Sequence, residues 1–408
     1  MFKPQDVMDP NWIKQPTTEL WKAISPLYAI DEDTWLRELM PLAEPDEHEL
    51  KDAEDKATGL IEQVRADGDS IHMIDALLLE YSLDTKEGIL LMCLAEALMR
   101  VPDADTADAL IRDKLSVADW KKHLRNSDSL LVNASTWGLL LTGKVVTLDE
   151  KEDGTASGVI NRLVNRMSEP VIRKAMQQAM KVMGHQFVLG RTINEAMKRG
   201  SEYRQKGYTY SFDMLGEAAL TSKDAKKYFD DYMSAIEYTG NFVDKKVQGP
   251  RPSISIKLSA LHPRYEVGQE ERVMTELFDS VLQLIKKARS VNVAITIDAE
   301  EMDRLEISLH LFAKLYRDPA CQGWGGFGLV VQAYSKRALA VLAWLAALAN
   351  EQGDLIPVRL VKGAYWDTEI KLCQQKGLDG YPVWTRKEGT DVSYLACARF
   401  LLSEQIKG

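Results

Sequence analysis

Cysteine is scarce in this chain and never paired in a way that suggests chemistry. Cys93, Cys321, Cys373 and Cys397 are far apart, with no CxxC spacing. Disulfide frameworks and zinc–thiolate sites both need clustered cysteines, so the expectation is reduced thiols in a cytoplasmic protein. The six histidines, His48, His72, His123, His185, His262 and His310, show neither HxxxH nor HxH spacing, which argues against a catalytic metal. No GxSxG nucleophile elbow and no P-loop is present. Residues 1–20 contain acids and prolines but no apolar core, so no secretory signal is expected. The longest apolar run, Ala338-Leu-Ala-Val-Leu-Ala-Trp-Leu-Ala-Ala-Leu-Ala349, is shorter than the roughly 20 residues needed to span a bilayer. It reads as a buried helix, with peripheral membrane contact left open. Basic excess is missing too: the net charge is −10. Direct nucleic-acid binding usually leaves a basic footprint, so the whole-chain charge disfavours it without excluding a local patch.

What is present is the composition of a soluble globular protein, 45% hydrophobic and 27% charged in 408 residues. Residues 1–45 read as short helices anchored by Trp12, Trp21 and Trp35, and 46–66 as a polar helical segment. Residues 70–135 and 158–206 have helical periodicity, separated by a charged loop at 148–157. The expected organisation is a helical arm over 1–70, an α-helical domain or linker over 71–206, and a β/α region over 207–408.

In that last region, apolar runs end in charged or amide residues. They are Ser253-Ile-Ser-Ile-Lys257, Val293-Ala-Ile-Thr-Ile-Asp298, Gly328-Leu-Val-Val-Gln332 and Pro357-Val-Arg359-Leu-Val-Lys362. A fifth run, Tyr208-Thr-Tyr-Ser-Phe-Asp213, leads into Gly216-Glu217. Helical stretches lie between them, giving the strand–helix–strand rhythm of a parallel sheet. The fold expected is α/β, a parallel (β/α)8-type barrel cut off after about five strands and preceded by an all-α region. An open doubly wound sheet is the alternative. In a barrel the carboxyl ends of the strands build the active site, so Lys257, Asp298, Gln332, Arg359 and Lys362 should converge on one mouth.

Each motif has a bland reading beside the functional one. Gly323-Trp-Gly325-Gly-Phe-Gly328 fits GxGxxG but precedes a strand, whereas a dinucleotide fingerprint follows one; it reads as a loop. Lys257 and Lys362 could form a Schiff base if desolvated, hold an anion by charge, or be solvated rim lysines. In the cluster Asp298-Ala-Glu300-Glu301-Met-Asp303, Asp298 is the functional candidate; the others are expected to face solvent or cap the next helix. Ser259 is a weak nucleophile candidate. The segment Arg359-Leu-Val-Lys-Gly363-Ala-Tyr365-Trp366 puts two cations, a glycine and two aromatics at one strand end, which suits a planar anionic ligand.

Longer stretches carry a resemblance. Ser-Ile-Lys-Leu-Ser-Ala-Leu-His-Pro-Arg-Tyr265, Ile-Asp-Ala-Glu-Glu301, Val-Gln-Ala-Tyr334, Arg-Leu-Val-Lys-Gly-Ala-Tyr-Trp366 and Gly-Tyr-Pro-Val-Trp-Thr-Arg-Lys387 resemble the proline dehydrogenase domain of bacterial proline utilization A. Asp213-Met-Leu-Gly-Glu-Ala-Ala219 and Leu91-Met-Cys-Leu-Ala-Glu-Ala-Leu98 resemble it as well. The resemblance runs from about residue 70 to the end.

It implies a β/α barrel that carries FAD, oxidises L-proline to Δ1-pyrroline-5-carboxylate and passes electrons to a membrane quinone. Residue by residue, it implies that Lys257 pairs with the proline carboxylate and that Asp298 sits by the flavin. Gln332 and Arg359 would contact the isoalloxazine. Val361, Lys362, Gly363, Ala364 and Trp366 would line the cofactor. Leu360 and Tyr365 would pack on the substrate ring, and Glu217 would be a carboxylate near the site. Thr385, Arg386 and Lys387 would hold the ribityl, phosphate or adenine part. The resemblance further implies a homo-oligomeric, peripherally membrane-associated bifunctional protein with an aldehyde-dehydrogenase domain beyond this chain. Some members of the family begin with a DNA-binding ribbon-helix-helix; none is seen before residue 20, so no nucleic-acid partner is expected. The remaining strands and two carboxylate-clamping arginines would also lie beyond residue 408, so weak or no turnover is expected of this stretch alone.

A barrel lyase or aldolase with a Schiff-base lysine, and a non-catalytic helical interaction module on an incomplete barrel, are the alternative readings.

Overall fold

The computed structural model describes residues 2–66, 106, 109–110, 188–242 and 251–406. The segments read as helical over 70–135 and 158–187 therefore fall almost wholly outside the described residues. Two compact units are present, Met1–Glu49 with Thr192–Gly408, and Leu50–Arg191. The helix α3 (Glu47–Ala66), most of which belongs to the second unit, buries none of its residues.

In the first unit, five strands form one parallel sheet: β1 (Ser211–Asp213), β2 (Ser253–Ile256), β3 (Ile295–Ile297), β4 (Phe327–Gln332) and β5 (Val358–Val361). Their spatial order is β1-β2-β3-β4-β5. A doubly wound sheet reverses its strand order at a switch point, and this one never does. The sheet is an arc of a β/α barrel, which settles the alternative left open by the sequence. Helices follow the strands: α6 (Ser222–Asn241) after β1, α8 (Phe278–Ser290) after β2, α9 (Leu305–Tyr316) after β3, α10 (Ala338–Gln352) after β4 and α11 (Trp366–Lys376) after β5. Before them come α4 (Ile193–Arg199) and α5 (Ser201–Gln205). A short helix, α7 (Leu258–Leu261), and a π-helical turn over Val273–Leu277 precede α8. The last helix is α12 (Lys387–Leu401).

Local sequence explains the boundaries. Thr221 caps α6 in a reciprocal capping box with Asp224, and Gly353 and Gly377 end α10 and α11 in the left-handed conformation. The expected apolar helix is α10, buried nearly all round, as such a helix must be. No helix among the described residues is long and apolar enough to cross a membrane. The GxGxxG match is a loop leading into β4. Gly328 is needed there because a Cβ would stand 2.1 Å from the Pro357 carbonyl oxygen, just before the neighbouring strand β5.

The N-terminal arm contains α1 (Thr17–Trp21) and α2 (Glu32–Ala43) and packs on α10 and α12. The expected arm over 1–70 thus divides, residues up to 49 sharing a compact unit with the barrel. The tryptophans do act as anchors. Trp35 is buried, and Trp21 stacks on His310 of α9 at 4.3 Å and meets Trp344 of α10 edge-on at 5.3 Å.

Candidate active site

Side chains alternate between the two faces of a strand, and the faces of this sheet differ. Ile254, Ile256, Ile295, Ile297, Phe327, Leu329 and Val331 are one set, buried; Ile297, Leu329 and Val331 pack with Leu309, Phe312 and Val341 of α9 and α10. The other set holds Ser211, Asp213, Ser255, Thr296, Gln332 and Arg359, with Val330 and Val361 beside them, and is continued past the strand ends by Lys257 and Asp298.

Six of these, Ser211, Asp213, Ser255, Lys257, Asp298 and Arg359, form one connected chain. Lys257 Nζ lies 2.8 Å from Asp213 Oδ1 and 3.2 Å from Asp298 Oδ2. The other Asp298 oxygen accepts from Arg359 Nη2. Arg359 Nη1 reaches Ser255 Oγ at 3.2 Å, and Ser255 Oγ lies 3.2 Å from Ser211 Oγ. Two cations and two carboxylates thus balance each other across β1, β2, β3 and β5. The Lys257 backbone N–H is fixed by Tyr232 Oη of α6 at 3.1 Å. Burial works against the charge on Lys257, but Asp213 and Asp298 outweigh it and hold the ammonium above the usual lysine range. Burial raises the Asp298 carboxyl, with Lys257 and Arg359 opposing and Asp213 adding.

A second set of contacts ties the strand-end loops together. Gln332, 4% exposed, donates from Nε2 to Glu300 O at 2.9 Å and accepts the Ala364 N–H at 3.1 Å. The Val361 and Lys362 carbonyls accept from Ala333 and Tyr334 at 2.7 and 2.6 Å. Gly363 has φ +143°, and a Cβ there would meet the Tyr334 ring at 2.4 Å. That close approach within the protein already requires the glycine, apart from any ligand. Tyr365 Oη is 3.5 Å from Glu217 Oε2; burial, then the Glu217 charge, pushes its hydroxyl up. Lys362, half-exposed, pairs with Asp391 of α12. Trp366 donates to Trp384 O at 2.8 Å and stays 42% exposed. Strand alternation puts Leu360 on the face opposite Arg359, level with Val331. Thr385, Arg386 and Lys387 lead into α12 and are all exposed.

The structure therefore brings Lys257, Asp298 and Arg359 into direct contact and places Gln332, Lys362, Tyr365 and Glu217 on adjoining strand ends. It corrects one expectation about the acidic cluster. Glu300 neither faces solvent nor caps the helix that follows it: it is buried, accepts the Ser259 N–H in the first turn of α7 at 3.0 Å and pairs with Arg304 at 3.3 Å. Burial raises its carboxyl. Glu301 also pairs with Arg304, at 3.1 Å. Sequence reasoning missed Asp213 as a site residue, although it ends a strand as Lys257 and Asp298 do; the same strand-end rule would have found it. Tyr232 and Ser255 gave no such signal, being a helix tyrosine and a mid-strand serine.

A barrel arc with a charge-compensated rim of cations, carboxylates and aromatics defines an enzyme-like β/α barrel domain. A family model described as proline dehydrogenase matches residues 196–407, more than half of the chain, and the chain belongs to the proline dehydrogenase family. It is 52% identical over 331 residues to the bifunctional protein PutA of Escherichia coli, covering 81% of this chain and 25% of that protein. It is 47% identical over 381 residues to PutA of Rhizobium meliloti, covering 93% of this chain and 30% of that one. A crystal structure of Bradyrhizobium japonicum proline utilization A matches with 46% identity and a TM-score of 0.61, over 91% of this chain and 37% of that one. The chain thus spans about a quarter of the length of the Escherichia coli relative.

A second model, described as the DNA-binding domain of proline dehydrogenase, matches residues 73–187. This match stands against the expectation of no nucleic-acid partner. That expectation rested on whole-chain charge and on a ribbon-helix-helix sought before residue 20. Whole-chain charge averages over domains, and the match lies well beyond the residues in which the motif was sought.

Proposed function

We propose that this chain carries the flavin- and proline-binding part of a proline dehydrogenase. In this reading bound FAD would supply the two-electron oxidant: a hydride would leave the ring carbon next to nitrogen that does not bear the carboxylate and a proton would leave the nitrogen, giving Δ1-pyrroline-5-carboxylate, and the electrons would pass on to a membrane quinone as the first step of proline catabolism to glutamate. Family membership supports the reaction. The observation that carries the site is the Asp213–Lys257–Asp298–Arg359 chain at the carboxyl ends of the strands.

The residues suit a flavin by their chemistry. Arg359 keeps 42% of its side chain exposed despite its two bonds, and a guanidinium has donors left over for a ring that becomes anionic on reduction. Trp366, seven residues further on, offers a partly exposed aromatic ring, and Trp384 Nε1 is buried without a partner among the described residues. Gln332, Arg359, the backbone from Val361 to Ala364, Lys362 and Trp366 would hold the ring system. Thr385, Arg386 and Lys387 would hold the phosphate-bearing part, with Glu217 near the ring. Tyr365 would bound the substrate ring; Leu360, expected beside it, lies instead on the helix-facing side with Val331.

Lys257 is suited to a substrate carboxylate. An ammonium has three donors; Asp213 and Asp298 engage two, which leaves one. The same contacts disfavour a Schiff-base lyase, because such a lysine must shed its proton while both carboxylates hold this one charged. Asp298 orients Lys257 and Arg359 together. The functional protein is proposed to be cytoplasmic, homo-oligomeric and peripherally membrane-associated where it meets quinone, and to continue into an aldehyde-dehydrogenase domain.

The test is spectroscopic. The purified chain should take up FAD in about equal amount, with absorption bands shifted from those of free flavin. Extended to the length of its relatives, it should show those bands bleach on addition of L-proline. The 408-residue chain alone should bleach slowly or not at all. A chain that takes up no FAD, or a lysine trapped by borohydride with a carbonyl substrate, would overturn the reading.

A further inference from the structure

We propose that Glu32, in the N-terminal arm, is a positioning residue for the loop that leads into Arg386 and Lys387, and through that loop for the phosphate-bearing part of FAD. The inference rests on the flavin reading above and goes beyond it, because nothing in that reading gives the arm a role.

Glu32 is the first residue of α2, and that helix start is fixed. Asp31 caps it, its side chain accepting the Thr34 N–H at 2.9 Å. From there the Glu32 carboxylate reaches a residue 353 positions away. It accepts the Thr385 backbone N–H at 3.0 Å and 3.2 Å, and the Thr385 hydroxyl at 3.1 Å. Thr385 is exposed, so water could have satisfied these donors at little cost. A carboxylate taking both donors of one residue fixes the orientation of the loop, which water does not.

The rest of the loop is gripped by the same two partners, the arm and the end of β4. A Cβ on Gly380 would stand 3.2 Å from Ala29 O. Lys336 N bonds Pro382 O at 3.1 Å, and Trp384 N bonds Tyr334 O at 2.9 Å. The Lys336 side chain, 3% exposed, donates to Ile30 O at 2.9 Å, lies 4.0 Å from Glu32 and sits 6.0 Å from the Trp384 ring. Trp35 of α2 closes the contact by donating to Lys336 O at 2.9 Å. Residues 380–385 are therefore held between 29–35 and 334–336. The next two residues, Arg386 and Lys387, are exposed, and their side chains make no hydrogen bond or ion pair among the described residues. Their direction is set by the residue Glu32 holds.

The experiment measures FAD affinity, by flavin fluorescence on the full chain, beside thermal stability, for three variants. Glu32→Ala should weaken FAD binding about tenfold or more, the scale of one lost charge-assisted hydrogen bond. Glu32→Gln should recover most of it, because its amide oxygen can still accept from Thr385. Arg399→Ala removes a different tie of the same arm, the 2.8 Å pair with Glu49, and should lower stability without weakening FAD. If Glu32→Ala does not fold, Glu32→Ser is read in its place. The proposal is overturned if Glu32→Ala binds FAD as wild type does. It is equally overturned if Arg399→Ala weakens FAD as much, since the arm would then act only through overall stability. A wild-type chain that binds no FAD would instead bring down the flavin reading, and this inference with it.

Discussion

Ile297, Leu329 and Val331 point from the strands into α9 and α10; Ser255, Asp298 and Arg359 belong to the opposite face of the same sheet. On the helix side the fit is apolar, with Phe312 stacked on Phe327 at 4.9 Å. On the mouth side the contacts of Lys257, Asp298 and Arg359 are polar, and the cations and carboxylates compensate one another. The helix side gains stability from area removed from water. The mouth side gains little net stability, since desolvation of charges offsets much of their attraction. What the mouth gains is position: each charged group is aimed by another whose place is set by a different strand.

Substitutions on the two sides should therefore separate stability from binding. The largest loss of stability belongs to the helix side. Phe312→Ala should cost about 4 kcal/mol in urea unfolding, the usual range for truncating a buried aromatic, and leave FAD affinity unchanged. Lys257→Met should cost less, roughly 2 kcal/mol, because it strands Asp298 beside only Arg359 while Asp213 can turn to water. It should also abolish the binding of proline-like carboxylates, read by perturbation of the flavin spectrum. If Phe312→Ala loses FAD, or Lys257→Met keeps its carboxylate ligand, the division between the faces fails.

Glu369 gives the smallest and most conditional effect. It is a buried carboxylate on the helix side, accepting the Met302 N–H at 2.7 Å, and burial pushes its carboxyl up to about 7. A carboxyl whose folded pKa lies above its unfolded value favours the folded state when protonated. The stability it contributes is present at low pH and is lost as pH rises from about 4.5 to about 7, with no further change above. Glu369→Gln keeps the acceptor and removes the charge. It should stabilise the protein on the order of 1–2 kcal/mol near pH 8 and hardly at all near pH 4. Equal effects at both pH values would show that the charge is not what burial penalises.

Much of the barrel could be read from the chain. The five apolar runs became β1 to β5 in order, because runs bounded by helical segments are what a parallel sheet requires. The strand ends were legible for the same reason, since polar residues at the carboxyl ends of buried strands have few other places to be satisfied. The inner faces of the strands were less legible. Ser255 and Thr296 were read as part of apolar runs, and their membership of a polar face appears only with the register. Gly363 was read as room for a ligand, and Tyr334 takes up that room.

The sequence by itself determined the element types, the parallel rhythm, the family and the residues that would carry charge. It could not determine their partners. Lys257 meets Asp213 and Asp298 at separations of 44 and 41 residues, Arg359 meets Asp298 at 61, and Glu32 meets Thr385 at 353. Helix and strand preferences act over a few residues and leave a pattern in the chain. Ion pairs and hydrogen bonds depend on distances of a few ångströms in space. Those distances exist only once the sheet has curved and the arm has docked, so the tertiary structure decided which charges face each other and that the arm reaches the loop before α12 at all.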